Sequence, residues 1–137
     1  MKKAGGIGVI FNDLILLGRR TEYVDGKRVP FGGYWAIFGG SCDEHENPMI
    51  CAIRELKEET QIALDFHNIM YSRSIHNEDN IFHVYFSELG SQPNVTLNKE
   101  HTEYGWFKID QLHQFPYDID DRLVTIIQAY KKNRYTI

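Results

Sequence analysis

The sequence predicts an α+β fold, a mixed β-sheet flanked by helices. Three observations carry that prediction. Short apolar runs are joined by turn residues, two longer stretches repeat their apolar residues at helical spacing, and the two kinds of segment are interspersed along the chain.

Ile7 to Phe11 and Leu14 to Leu17 read as the strands of a hairpin, because Asn12-Asp13 between them is a good turn pair. Arg19 and Arg20 close the second strand. Residues 21–33 contain Asp25-Gly26, Pro30 and Gly32-Gly33 and read as a loop with room for a small hairpin. Tyr34 to Phe38 reads as a strand ending at Gly39-Gly40. A helix follows, with Asn47 as N-cap and Pro48 at the first position, where a missing N–H costs nothing. Met49, Ile53, Leu56 and Thr60 form its core-facing stripe. Ile69 to Ile75, Ile81 to Leu89 and Tyr104 to Ile109 read as strands. In the second of these, Phe82, Val84 and Phe86 alternate with His83, Tyr85 and Ser87, as two faces of one strand. The last helix is expected to begin near Asp118. Its apolar stripe is Leu123, Ile126, Ile127 and Tyr130, with Lys131, Lys132 and Arg134 at the end that favours cations. No repeat or linker interrupts residues 1–137, which read as one domain.

Fifteen Lys plus Arg against 19 Asp plus Glu give a net charge of −4. Binding to polymeric nucleic acid needs a basic face and is not expected. Clustered carboxylates suit a divalent cation better. No apolar run reaches the length of a signal peptide or a membrane span, so a cytoplasmic protein without a membrane partner is expected. Cys42 and Cys51 are too few for a disulfide framework and are spaced unlike a zinc knuckle. We read them as reduced thiols of an intracellular protein, in preference to a zinc set with His45 and His67.

The chemistry concentrates between Gly40 and Ile62. On a helix, Glu55, Glu58 and Glu59 share one side. Three crowded carboxylates repel one another unless a cation sits among them. Arg54, one turn before Glu58, offsets part of that repulsion, and a divalent metal would offset more; hard oxygen ligands select Mg²⁺ or Mn²⁺. The competing reading is a solvated acidic face with an Arg–Glu pair. The preceding strand, Gly-Gly turn and loop with a further carboxylate, Glu46, weigh against it.

This segment resembles the Nudix box: Gly, five residues, Glu, seven residues, then Arg-Glu-apolar-x-Glu-Glu-x-Gly-apolar. Gly40, Glu46, Arg54, Glu55, Leu56, Glu58, Glu59 and Ile62 fill its positions. Gln61 stands where the family has Gly, and Phe38 where a proline commonly precedes the Gly-Gly pair. The Gln61 departure predicts either a strained cap or a different helix end. The resemblance implies a Nudix-like α/β/α sandwich and Mg²⁺-dependent hydrolysis of a phosphoanhydride bond, with Mn²⁺ as a substitute. The implied substrate is a nucleoside diphosphate linked to another moiety, with metal-polarised water attacking phosphorus. By the same resemblance, Glu58, Glu59 and the Gly39 carbonyl bind metal, and Glu55 binds metal or orients the water. Glu46 and Arg54 pair to lock the loop onto the helix.

Outside the box, Glu100-His101-Thr102-Glu103-Tyr104-Gly105-Trp106 resembles the family segment that supplies a general base or a further metal ligand. Glu100 is the first choice for that role and Glu103 the second. Trp106 and Phe107 read as core. Arg19 and Arg20 are candidates to hold phosphate, and Phe31, Tyr34 and Trp35 to stack on a base, though Trp35 also suits the core. His76, His83 and His101 are weaker candidates for phosphate contact. The Glu-His-x-x-Tyr-x-Trp order leans toward dinucleoside polyphosphates or nucleotide sugars. The alternatives are a GDP-mannose-type glycosyl hydrolase, a (d)NTP pyrophosphatase and a catalytically silent nucleotide sensor. The expected partner is a small nucleotide. Homodimers are common in the family, but no exposed stripe demands one here.

Overall fold

Asn12-Asp13 reverses the chain between β1 (Lys2–Phe11) and β2 (Leu14–Arg20), with Ile10 opposite Ile15 and Phe11 opposite Leu14. Asn12 sits at φ 56°, a left-handed position that asparagine tolerates. These coordinates come from a computed structural model, which describes residues 2–134. The loop after β2 contains the small hairpin β3 (Tyr23–Val24) and β4 (Lys27–Arg28). Its turn residues Asp25 and Gly26 both have positive φ, at 52° and 79°, the conformation that a two-residue hairpin turn requires.

The strand expected over Tyr34 to Phe38 is two strands, β5 (Trp35–Ala36) and β6 (Phe38–Ser41). β5 pairs with β2 and β6 with the first half of β1, so the chain crosses between them at Ile37. β1 and β2 pair only near their turn and then diverge, and β5 and β6 fill the opening. β6 also runs through Gly39-Gly40 instead of ending there. A Cβ on Gly39 would lie 2.6 Å from the Gly6 Cα. Gly39→Ala is therefore expected to cost about 2–3 kcal/mol, read by chemical denaturation.

α1 (Pro48–Thr60) starts as expected, with the Asn47 side chain accepting the Met49 N–H at 2.8 Å. Its buried face is broader than the stripe read from sequence. Cys51, Ala52, Leu56, Glu59 and Thr60 are buried, while Met49 and Ile53 are only partly covered. The cause lies in the sheet. A Cβ on Gly5 would fall 2.6 Å from the Pro48 carbonyl oxygen, so the bare glycine lets the helix settle close to β1. Glu59, expected on a separate acidic side, is buried at the other end of the helix, where His101 and the backbone of Asn98 close over it. The helix ends at Gln61 in the left-handed conformation (φ 65°, ψ 14°), its N–H donating to the Lys57 carbonyl at 2.9 Å. Gln61→Gly is expected to stabilise the protein by ~0.5–1 kcal/mol, raising the melting temperature by a few degrees.

Cys42 and Cys51 are joined in a disulfide, correcting the expectation of two reduced thiols. The loop between them reverses over the first turn of α1, with Glu46 N–H donating to Asp43 O and Cys51 N–H to Asn47 O. The reversal brings the two Cα atoms to 5.3 Å, inside the ordinary range for a bridge.

A short 3₁₀ turn (Phe66–Asn68) leads into β7 (Met70–His76) and β8 (Asn80–Leu89), followed by β9 (His101–Lys108), a second 3₁₀ turn (Ile109–Gln114) and α2 (Asp121–Arg134). β8 runs parallel to β1, from Lys2 opposite Asn80 to Phe11 opposite Leu89, and this parallel pair makes the sheet mixed. The main sheet order is β5-β2-β1-β8-β7, with β6 also on β1 and β9 on β2. Alternate residues feed two cores. Ile15, Leu17 and Phe86 pack toward α2 with Leu123 and Ile127; Leu16, Val9 and Tyr85 pack toward α1 with Leu56. Both faces are therefore covered, giving the α/β/α sandwich. α2 begins later than expected because the preceding residues are used elsewhere. The Asp118 carbonyl accepts the Trp35 N–H at 2.8 Å, and Ile119 bridges to Trp35. Lys131 pairs with Asp110 at 2.9 Å near the helix end, whereas the Arg134 side chain lies outside the described residues. Among the described residues, no helix is long and apolar enough to cross a membrane.

Candidate active site

α1 carries Glu55 and Glu59 one turn apart, packed on β6, with Glu59 reaching His101 at the start of β9. Gly40 of β6 makes room for Glu55, since a Cβ there would sit 2.7 Å from its carboxylate. Glu100 arrives on the loop before β9, which is stitched to the end of α1. Thr96 N–H donates to Thr60 O at 3.0 Å and Asn98 N–H to Glu59 O at 3.3 Å. The Asn98 side chain accepts the Glu100 N–H, and Thr21 N–H donates to Glu100 O, both at 2.9 Å. The result is a cluster in which one carboxylate oxygen from each of Glu55, Glu59 and Glu100 lies within 4.8 Å of the others.

Glu59 dominates the electrostatics. Its side chain is 3% exposed and its Oε1 has no hydrogen-bond partner. Burial, then the hydrogen bond and charge of Glu100, then Glu55, push its carboxyl up to about 9, with Arg20 opposing. Glu55 is raised as well, first by burial, against the pull of Arg54. The ring of His101 packs on Phe38 with Nδ1 3.9 Å from Glu59. Burial and then Arg20 hold that imidazole down to about 4, so it is neutral at physiological pH. Glu59, buried with an unsatisfied carboxylate oxygen and clustered with Glu55 and Glu100, where Arg54 touches only Glu55, fits a divalent cation bound by hard oxygen donors.

Arg54 organises the outer side. It grips Glu46 through Nε and Nη2 at 2.8 and 2.9 Å, a two-point contact, and reaches Glu58 and Glu55 through Nη1 at 3.1 Å each. Glu46 is held down to about 2, chiefly by this hydrogen bond to Arg54. Lys3 adds a bond to the Glu46 carbonyl at 2.8 Å.

A cavity of about 310 Å³ lies next to the cluster; Glu55, Glu59 and Glu100 are not in its lining, but Gly40, which abuts Glu55, and His101, which abuts Glu59, are. Gly39, Gly40, Arg20 and His101 line it near the cluster, Trp35 and Phe82 form part of its wall, and Asn77, Asp120 and Arg122 line it further off.

The NUDIX domain family model matches residues 1–127. The chain belongs to the NUDIX family. Among solved structures it is similar to a MutT NUDIX hydrolase from Burkholderia pseudomallei, with 25% identity and a TM-score of 0.73 over 93% of this chain and 95% of that one. An Ap4A hydrolase of C. elegans shares the fold at 17% identity, with a TM-score of 0.76 over 98% of this chain and 99% of that one. So does a bifunctional NMN adenylyltransferase/ADP ribose pyrophosphatase of Francisella tularensis, solved with AMP and a Mn ion. There the identity is 22% and the TM-score 0.76, over 96% of this chain but 41% of that protein. No curated protein matches the chain. As a NUDIX hydrolase, the protein is a pyrophosphohydrolase.

The NUDIX box residues are distributed unevenly around its site. Glu55 and Glu59 lie in the cluster, while the Glu58 side chain is 52% exposed and turned toward Arg54. Glu46 and Arg54 form the expected pair. Of the two candidates outside the box, Glu100 joins the cluster and Glu103 pairs with Arg19 at 3.0 Å. Arg19 thus faces Glu103, Glu22 and the Gly33 carbonyl, and it is Arg20 that lines the cavity. Trp35 is both wall and core, packed edge-on against Phe107 and Phe115. Phe31 and Tyr34 form an edge-to-face pair, 5.5 Å apart, and also line the cavity. His83 lies off the lining, and His76 bonds Ser74 at 3.1 Å. Sequence reading missed Phe82, Asp120 and Arg122. The only local signal was the acidic start of α2.

Proposed function

We propose that this NUDIX hydrolase uses Mg²⁺, with Mn²⁺ as a substitute, to hydrolyse a nucleoside diphosphate linked to another moiety, by attack of water on phosphorus. The observation that carries the reading is the cluster of Glu55, Glu59 and Glu100, in which Glu59 also has a buried, unpaired Oε1. A divalent ion, when bound, supplies a Lewis acid that acidifies water and offsets charge on the phosphate oxygens.

This chain's own residues do the rest. Glu55 and Glu59 would hold the ion with the Gly39 carbonyl, and Glu58 would join them by turning away from Arg54. Glu100, the exposed member of the cluster, would add a carboxylate to the ion's surroundings and take the proton from the attacking water. The loop bonds from Thr96, Asn98 and Thr21 fix its position. Arg20 lies beside the carboxylates where diphosphate oxygens would enter, and steadies their charge. Trp35 and the Phe31–Tyr34 pair flank the nucleoside. The cavity volume suits one nucleoside-sized group, which leaves the second moiety outside it.

Together with the Glu-His-x-x-Tyr-x-Trp segment, this supports a dinucleoside polyphosphate or a nucleotide sugar as substrate. A cytoplasmic location belongs to the same reading, because its substrates are small nucleotides. A hydrolysis panel run with Mg²⁺ in ¹⁸O-water tests the reading. The expected result is turnover on dinucleoside polyphosphates or nucleotide sugars above (d)NTPs, with ¹⁸O in a phosphate product. Label on a released sugar would mean glycosyl cleavage, and no turnover on any nucleotide would leave a silent sensor.

A further inference from the structure

We infer that Cys42 and Cys51 form a reversible thiol–disulfide site whose redox state sets how firmly the loop of residues 42–47 is held to the catalytic helix. The chain has no other cysteine, so this pair has no internal competitor. Both partners sit in the catalytic machinery's frame. Cys42 follows Gly40 by two residues, and Cys51 lies in the first turn of α1, four residues before Glu55. The span they close carries Glu46, and through it the Arg54 contacts to Glu55 and Glu58.

Two features argue against a permanent staple. A disulfide stabilises a fold by restricting the unfolded chain, and that effect grows with the length of the closed loop. A bridge across nine positions is therefore among the weaker staples. The loop is also held without it. Cys42 N–H donates to Lys3 O at 2.9 Å, Lys3 Nζ to Glu46 O at 2.8 Å, and Arg54 grips Glu46. Opening the bridge therefore loosens the loop without dismantling the helix. In a reducing compartment, a disulfide that forms at all is more often transient than structural.

The two sulfurs are not equivalent. Cys42 is partly exposed, whereas Cys51 is fully buried. A thiolate of a small dithiol, or of a dithiol oxidoreductase, attacks the Cys42 sulfur, and the S–S bond breaks. Cys51 leaves as a thiolate in the first helical turn, where the helix dipole favours negative charge, and then takes up a proton. The reductant's second thiol loses its proton and displaces Cys42 from the mixed disulfide. Two electrons pass to the cysteine pair, which ends as two thiols, and the dithiol ends as a disulfide. Oxidation is the same exchange run backward by a disulfide-bearing partner.

The test compares the oxidised protein, the dithiothreitol-reduced protein and Cys42→Ser by thiol alkylation and backbone hydrogen exchange. The oxidised protein is expected to take up no alkylating agent, and the folded, reduced protein one equivalent at the partly exposed Cys42, with the buried Cys51 reacting only on unfolding. Amides of residues 42–47 are expected to exchange several-fold faster in the reduced protein and in Cys42→Ser, with the strands unchanged. Mn²⁺ affinity should fall in parallel, but the exchange result reads the lock whether or not a metal binds. The inference is overturned if the bridge yields to reductant only after unfolding, if the loop exchanges equally in both states, or if Cys42→Ser behaves like the oxidised protein. It is equally overturned if the reduced pair instead holds one zinc ion with Glu46.

Discussion

Glu59→Gln is expected to lower turnover on the order of 10³-fold and, at the same time, to make the metal-free protein more stable above neutral pH. Both effects come from one carboxyl. It is buried, one oxygen has no partner, and Glu55 and Glu100 crowd it. Its carboxyl is pushed from 4.5 to about 9 by burial and by Glu100. Because the folded value lies above the unfolded one, the folded state holds more protons across that window. Stability of the metal-free protein should therefore fall as pH rises from about 4.5 toward 9. The glutamine variant does not ionise and should lack that slope. Thermal melts of both proteins across this range, with and without Mg²⁺, check the prediction; Mg²⁺ should remove most of the wild-type slope and leave the variant unaffected.

The second large effect is expected at Arg54. Arg54→Ala should cost about 2–4 kcal/mol and weaken metal binding by roughly 10- to 100-fold. The substitution removes the two-point grip on Glu46 and the contacts at 3.1 Å to Glu55 and Glu58, leaving three carboxylates without their shared cation. Arg54→Lys should recover little, because a single ammonium cannot reproduce the planar two-point contact. Denaturant titrations and calorimetric Mn²⁺ binding separate the two losses. The same pair predicts acid behaviour. The Glu46 carboxyl is held at about 2, so its contribution is complete above 4.5 and is lost as pH falls toward 2. Arg54→Ala should lack that step.

Features that depend on neighbouring residues were legible in the sequence. Asn12 and Asp25-Gly26 have the backbone freedom their turns need, and Asn47-Pro48 starts α1 where capping chemistry says it must. The Glu46–Arg54 pair followed from the resemblance of the box to a known family. Features set by distant chain were not legible. Glu59 is buried because His101 and Asn98, from a distant part of the chain, close over it. Glu100 and Glu103 could not be told apart until the β2–β9 register set Glu103 opposite Arg19. The same pairing takes Arg19 out of the cavity and leaves Arg20 in it. The disulfide needed the reversal of residues 42–47, which no spacing rule foretells. The cavity wall draws on Trp35, Phe82 and Arg122, residues that only the sheet topology brings together.

The central claim is that Glu55, Glu59 and Glu100 form a divalent-cation site. Mn²⁺ titration of the nucleotide-free protein, followed by the electron paramagnetic resonance signal of the free ion, tests it directly. Wild type should bind Mn²⁺ saturably near neutral pH. Glu59→Gln and Glu100→Gln should each weaken binding by roughly 10- to 100-fold, and Glu103→Gln should leave it unchanged. Equal binding by wild type and Glu59→Gln, or loss of binding in Glu103→Gln alone, would contradict the account.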